Sequence, residues 1–256
     1  MRKILIYVAM IFLVIMVVYG LFFSFDKKQT EQKVAILPKI SSIKKKVSDH
    51  LKNFPNVYST DWNLQLVNSE HEVSDQEINL EVIQGNFQLD ARIIEKTEKL
   101  LEAAKKAGIP LQILSAYRTI SYQEQLVKKD IYQNIAKGMT EEEAKQQTYR
   151  LLSKPGHSEH HLGLAIDVVD QDYYQQHGAQ LLPEIVSTSK GALWLKENAA
   201  DFGFILRYLQ GKEEITKINY EAWHYRYVGE EVAKYLMLNS LTLEEFHKKL
   251  EQLGRQ

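Results

Sequence analysis

Apolar residues between positions 90 and 107 recur at helical spacing, through Ile93, Ile94, Leu100, Leu101 and Ala104, and the run stops at Gly108. That period puts the apolar side chains on one helical face, with a glycine just past the end where a left-handed residue closes a helix. Thr140-x-x-Glu143 is a capping box opening a helix towards Leu152, because hydroxyl and carboxylate each satisfy a backbone N–H that the first turn leaves free. Residues 194–202 read as a helix stopped by Gly203, and 230–238 and 243–253 as closing helices, the second introduced by Thr242 with Glu245. Short apolar stretches at 111–115, 164–169, 204–208 and 223–228 read as strands between these helices. The chain is therefore α+β, and pattern alone leaves parallel and antiparallel sheets open.

The N-terminal stretch has a different pattern. Residues 4–25 are uncharged and strongly apolar behind Met1, Arg2 and Lys3. At about 1.5 Å per helical residue they reach roughly the 30 Å of a bilayer core. The Leu21-Phe22-Phe23 run would stand at the new terminus if cleavage followed Val18 and Gly20, so a retained signal anchor is expected. Residues 26–57, rich in Lys, Gln and Ser with Pro38 and Pro55, read as a polar stem whose Lys44, Lys45 and Lys46 form a solvated face. Residues 58–256 are enough for one domain with a substantial core. A net charge of −1 and the lack of a basic patch give no reason to expect nucleic acid. With no Cys, neither a lipoprotein anchor nor a Cys-rich structural zinc site is available.

Chemistry concentrates in Ser158-x-His160, Gly163, Ala165 and Asp167, and in Glu221-x-x-His224. Two imidazoles and a carboxylate, with a second carboxylate beside them, match a catalytic zinc site that keeps its fourth position open. His160 and Asp167 are seven apart, so one flat strand would point them to opposite faces. Gly163 is the natural bend between a loop bearing His160 and a strand bearing Asp167. The spacing of Glu221 and His224 suits a turn entering a strand, so a sheet-based site is expected. His157, His161 and Asp170 are the alternative ligands if the register differs.

Three separated blocks, SAYRTISYQEQL (115–126), PGHSEHHLGLAIDV (155–168) and EAWHYRYVG (221–229), resemble in content, order and spacing those of the VanY-type D-alanyl-D-alanine carboxypeptidases. These belong to the lysostaphin, D-Ala-D-Ala peptidase and hedgehog zinc metallopeptidase superfamily. Ala116 stands where that family has Gly, and Ala222 where it has Pro. The resemblance spans roughly residues 60–238 and implies a small antiparallel sheet flanked by helices. It implies one zinc ion on His160, Asp167 and His224, Glu221 as general base, and Arg118 as the clamp on a terminal carboxylate, which a guanidinium grips through two parallel hydrogen bonds.

Gln123 then either contacts substrate or orients Arg118, and Ser158 either bonds the peptide or caps its loop. Tyr117 and Trp223 are candidates to line the groove, Tyr225 and Tyr227 read as core, and Arg226 either supports the ligands or pairs with surface acids. The implied activity is removal of the terminal D-alanine from peptidoglycan stem peptides, outside the membrane. An L,D-carboxypeptidase on tetrapeptide stems and a non-catalytic zinc-containing wall-binding module are the rival readings.

Overall fold

In the computed structural model, which describes residues 54–74 and 77–256, strand β1 (Leu80–Val82) pairs antiparallel with β2 (Gln88–Asp90). Asp90 ends the hairpin and its carboxylate accepts the N–H of Arg92, opening a 3-10 turn that runs into helix α1 (Ile94–Lys106). β3 (Leu111–Ser115) leads past Arg118 into α2 (Ile120–Ala136) and α3 (Glu141–Tyr149). A 3-10 turn (Glu159–Leu162) precedes β4 (Ala165–Asp170), then α4 (Gln171–His177), α5 (Pro183–Val186) and α6 (Lys190–Asn198). β5 (Phe204–Leu206), α7 (Glu213–Thr216), β6 (His224–Tyr227), α8 (Glu230–Asn239) and α9 (Leu243–Gln252) complete the chain.

The main sheet has the order β3-β4-β6-β5 with every neighbouring pair antiparallel. This settles the question the strand pattern left open. β4 is buried along its whole length, which is why it reads as a nearly continuous apolar run rather than an alternating one. Ile166 and Val168 face Leu100 and Ala104 of α1 in the principal core, joined by Phe204, Tyr225 and Tyr227. Each large apolar side chain buried there contributes roughly 1.5–3 kcal/mol. The other face carries Val169 and Trp223, packed with Tyr173, Val186 and Ala192, and beside them the polar residues of the site.

Most expected elements are present with their ends shifted. The capping box at Thr140 is made in full. Its helix stops at Tyr149 rather than Leu152, because the chain turns to carry Leu151 and Leu152 to the cleft wall ahead of Pro155. The β1–β2 hairpin is too short to show a period, and the sequence did not reveal it. Among the described residues no helix is long and apolar enough to cross a membrane. The apolar segment 4–25, expected to do so, lies outside them, as does the stem to residue 53.

Candidate metal centre and cleft

Strand register assembles the core of the site. In the β4–β6 ladder Asp167 is the direct partner of His224, so the two side chains project from one face at the closest spacing a sheet allows. His160 reaches them from the 3-10 turn. Gly163 closes that turn at φ +65°, and a Cβ there would lie 2.8 Å from the backbone nitrogen of Asp90. Both the left-handed backbone and the close approach therefore require glycine. The third block is stitched on by backbone: the Arg118 N–H donates to the carbonyl of His160 (3.2 Å), while His160 Nδ1 donates to the Ala116 carbonyl (2.6 Å) and His161 Nδ1 to that of Arg118 (2.7 Å).

His160, Asp167 and His224 are buried, and one donor atom of each lies within 4.8 Å of the others, a set able to hold a metal ion. The two imidazoles present opposite nitrogens. His160 Nδ1 is committed to a peptide carbonyl, leaving Nε2 facing Asp167 Oδ2 at 3.3 Å. His224 Nε2 lies 3.2 Å from Glu159 Oε2, leaving Nδ1 facing Asp167 Oδ1 at 3.1 Å. Their rings stand nearly perpendicular, at 83°.

Burial and the nearby Arg118 guanidinium lower the pKa of His160 to about 4, so its imidazole is neutral as a ligand must be. Burial also acts to lower His224, but hydrogen bonds to Asp167 and Glu159 override it and raise its pKa to about 9, so a metal binding at Nδ1 must displace a proton there. The two imidazoles hold Asp167 well below the ordinary carboxylate range despite its burial. Glu221 sits in the turn before β6, its carboxylate 3.8 Å from His224 Nδ1, and burial with the Asp167 charge outweighs the pull of His224 to raise it to about 8.

These residues line one cleft of about 310 Å³ together with Arg118, Gln123, Ser158, Tyr208 and Trp223. Gln123 is fully buried, accepts from Arg118 Nη1 (3.0 Å) and donates to the Ser153 carbonyl (2.7 Å), so its amide holds the guanidinium in place. Ser158 makes no capping bond and faces the cleft. Trp223 belongs both to the cleft wall and to the second core. Tyr117 is not among the residues that line this cleft.

His157 bonds the Asn68 carbonyl, His161 is held between the Arg118 carbonyl and the Gly156 N–H, and Asp170 caps α4, so none of the alternative ligands joins the cluster. Sequence reasoning missed Glu159 and Tyr208, whose ring packs 4.8 Å from that of His224. Glu159 lies inside the motif itself, but an isolated Glu between Ser and His carries no signal of burial.

The donor set is suited to zinc, and the unmade bonds agree. Among the described residues, the buried side-chain nitrogens and oxygens without a partner are His160 Nε2 and Arg118 Nε. Buried polar atoms are almost always satisfied, so each marks a place for something bound: a cation at the imidazole nitrogen, an anionic acceptor at the guanidinium. A buried metal-ligand triad opening on such a cleft is the arrangement of a metallopeptidase.

Comparison with known proteins narrows that class. The family model VanY, D-alanyl-D-alanine carboxypeptidase, matches residues 86–230, more than half of the chain. The protein belongs to this family and is a metallocarboxypeptidase of the D-Ala-D-Ala type. It is similar to the D-alanyl-D-alanine carboxypeptidase of Enterococcus faecalis, 35% identical over 187 residues, covering 73% of this chain and 66% of that protein. Among solved structures it resembles the vancomycin-resistance D,D-pentapeptidase VanY in complex with Zn(II), with TM-score 0.64 and 36% identity over 73% of this chain and 99% of that one. It also resembles the LdcB LD-carboxypeptidase, with TM-score 0.61 and 29% identity over 73% and 87% of the two chains.

Proposed function

We propose that this protein is a zinc-dependent D,D-carboxypeptidase that removes the terminal D-alanine of peptidoglycan stem peptides, working outside the membrane to which residues 4–25 anchor it. The observation that carries the reading is one cleft in which His160 Nε2 makes no hydrogen bond and has only the Asp167 carboxylate beside it, at 3.3 Å, while Arg118 Nε has no partner. They ask for a cation and for an anion side by side, which is what a substrate ending in a carboxylate brings to a metal centre.

His160 through Nε2, Asp167 through its carboxylate and His224 through Nδ1 would hold one zinc ion. When bound, zinc supplies Lewis-acid polarisation of the scissile carbonyl and acidifies a water. Arg118, kept in place by Gln123, binds the terminal carboxylate and so sets the scissile bond one residue from the end. The positive charge of the ion would draw the Glu221 carboxyl down from about 8 into its ionised form, and Glu221 then takes the proton of the attacking water and returns it to the leaving amine. Trp223 and Leu152 form part of the apolar wall of the cleft.

The likeness to LdcB favours a second reading, an L,D-carboxypeptidase acting on tetrapeptide stems with the same residues. Mass spectrometry of the zinc-loaded protein incubated separately with a muramyl pentapeptide and its tetrapeptide distinguishes them. Loss of one alanine from the pentapeptide alone is expected. Loss from the tetrapeptide alone makes the enzyme L,D-specific, and cleavage of neither overturns both readings.

A further inference from the structure

Behind His224, away from the cleft, lies a group that the reaction as described does not use. Glu159 is wholly buried, and its two oxygens have separate tasks. Oε1 accepts from Arg207 Nε (2.7 Å) and from Arg226 Nη1 (2.9 Å). Oε2 is left to the imidazole, 3.2 Å from His224 Nε2. The guanidiniums are anchored in turn, Arg207 by both oxygens of Glu244 (3.0 and 2.6 Å) and Arg226 by the carbonyls of Asn63 and Gln65 (3.1 and 3.0 Å). Two acids against two guanidiniums leave this buried network neutral, so a carboxylate is maintained where an isolated one would be costly.

We propose that Glu159 is a positioning residue for the metal centre: its Oε2 holds the proton of His224 on Nε2 and so turns the lone pair of Nδ1 towards the ion. A carboxylate held between guanidiniums can only accept, so the nitrogen facing it must be the donor, while the Nδ1 proton that Asp167 Oδ1 accepts at 3.1 Å is the one a metal would displace. His160 is set by the same logic in the opposite sense, its Nδ1–H taken by the Ala116 carbonyl. One turn, Glu159–Leu162, thus supplies one ligand and, from the adjacent residue, the group that orients the other. Carboxylates in this position fix the tautomer and ring orientation of a metal-ligating His and raise its basicity. The inference rests on the metal reading above, and it assigns Arg207 and Arg226 the task of holding Glu159.

The test compares Glu159→Gln with Glu244→Gln in the full chain. Both remove one charge from the same buried network, but only the first alters the acceptor on His224. Zinc affinity is measured by chelator competition, and the His224 tautomer by long-range ¹H–¹⁵N correlations on the imidazole. In zinc-loaded wild type the proton is expected on Nε2. Glu159→Gln is expected to weaken zinc binding about 10- to 100-fold, while Glu244→Gln shows a clearly smaller loss. Equal losses in the two variants would reduce Glu159 to a structural member of the ion network and overturn the proposal. A wild-type His224 protonated on Nδ1 and metal-bound through Nε2 would also overturn it, and that spectrum decides the matter even if Glu159→Gln fails to fold. A wild type that takes up no zinc at all would bring down the metal reading and this inference with it, an outcome distinct from a zinc site indifferent to Glu159.

Discussion

At the scale of single residues, the site divides into groups that hold and groups that react. On the proposed mechanism Glu221 is the group that reacts: Glu221→Gln is expected to lower kcat by about 10²- to 10⁴-fold, the range of a general base, while zinc stoichiometry measured by elemental analysis stays at the wild-type value. Undiminished turnover would remove Glu221 from the mechanism. In the same mechanism Arg118 is the group that binds, and its Nε is unpartnered. Removing a charged hydrogen-bonding partner costs about 1.5–3 kcal/mol, so kcat/KM for a free-acid peptide should fall roughly ten- to a hundredfold in Arg118→Ala. A substrate amidated at its C-terminus should show little difference between the two proteins, which is the diagnostic control. Lys at this position is expected to restore only part of the loss, because an ammonium lacks the planar fork. That these residues belong together was legible in the sequence, since each lies in a block with its own chemistry and the fold brings them to one cleft. What each one touches was not: of the two roles open to Gln123, the structure shows the bond to Arg118.

At the scale of elements, the turn 159–163 and the helix after β4 carry the tightest local requirements. Gly163→Ala must force a Cβ against the Asp90 nitrogen from a left-handed backbone. A loss of about 1–3 kcal/mol is expected from that strain, readable as a lower urea midpoint, and the hydrogen bond from Asp90 N to the Gly163 carbonyl should weaken with it. Asp170 ends β4 and accepts from the backbone of Tyr173 and Gly191, bonds that outweigh its burial and hold its pKa below the usual value. A depressed folded-state pKa contributes stability above the unfolded value of about 3.9 and loses it as pH falls through the folded one. Asp170→Asn is therefore expected to be less stable by about 0.5–2 kcal/mol at pH 7, as for a lost helix cap, and the gap from wild type should narrow in melts run below pH 4. The elements themselves were mostly readable, because caps such as Thr140 and Thr242 and the period of residues 90–107 act locally. Their ends were not, since tertiary contacts decide where Tyr149 and Leu206 stop an element.

At the scale of the whole molecule, a bound metal would tie together the 159–162 turn, β4 and β6. Ligands that bind only the folded state stabilise it by mass action, about 2.7 kcal/mol at a hundredfold excess over Kd. Chelation is expected to abolish turnover and lower Tm by several degrees, with both restored by zinc, and a Tm indifferent to chelator would argue that no ion resides there.

The sequence alone determined the α+β class, the caps and most helices, and pointed to the residues, His160, Asp167, Glu221, His224 and Arg118, that the fold gathers in one cleft, because helical period, capping and side-chain chemistry are properties of neighbours along the chain. Only the tertiary structure decided that the sheet is antiparallel in the order β3-β4-β6-β5, that Asp167 stands opposite His224, and that Glu159 is buried against two guanidiniums. Strand register and the burial of a charge depend on residues far apart in sequence, Glu159 with Arg207 and Arg226, and no local pattern encodes a partner 48 or 67 positions away.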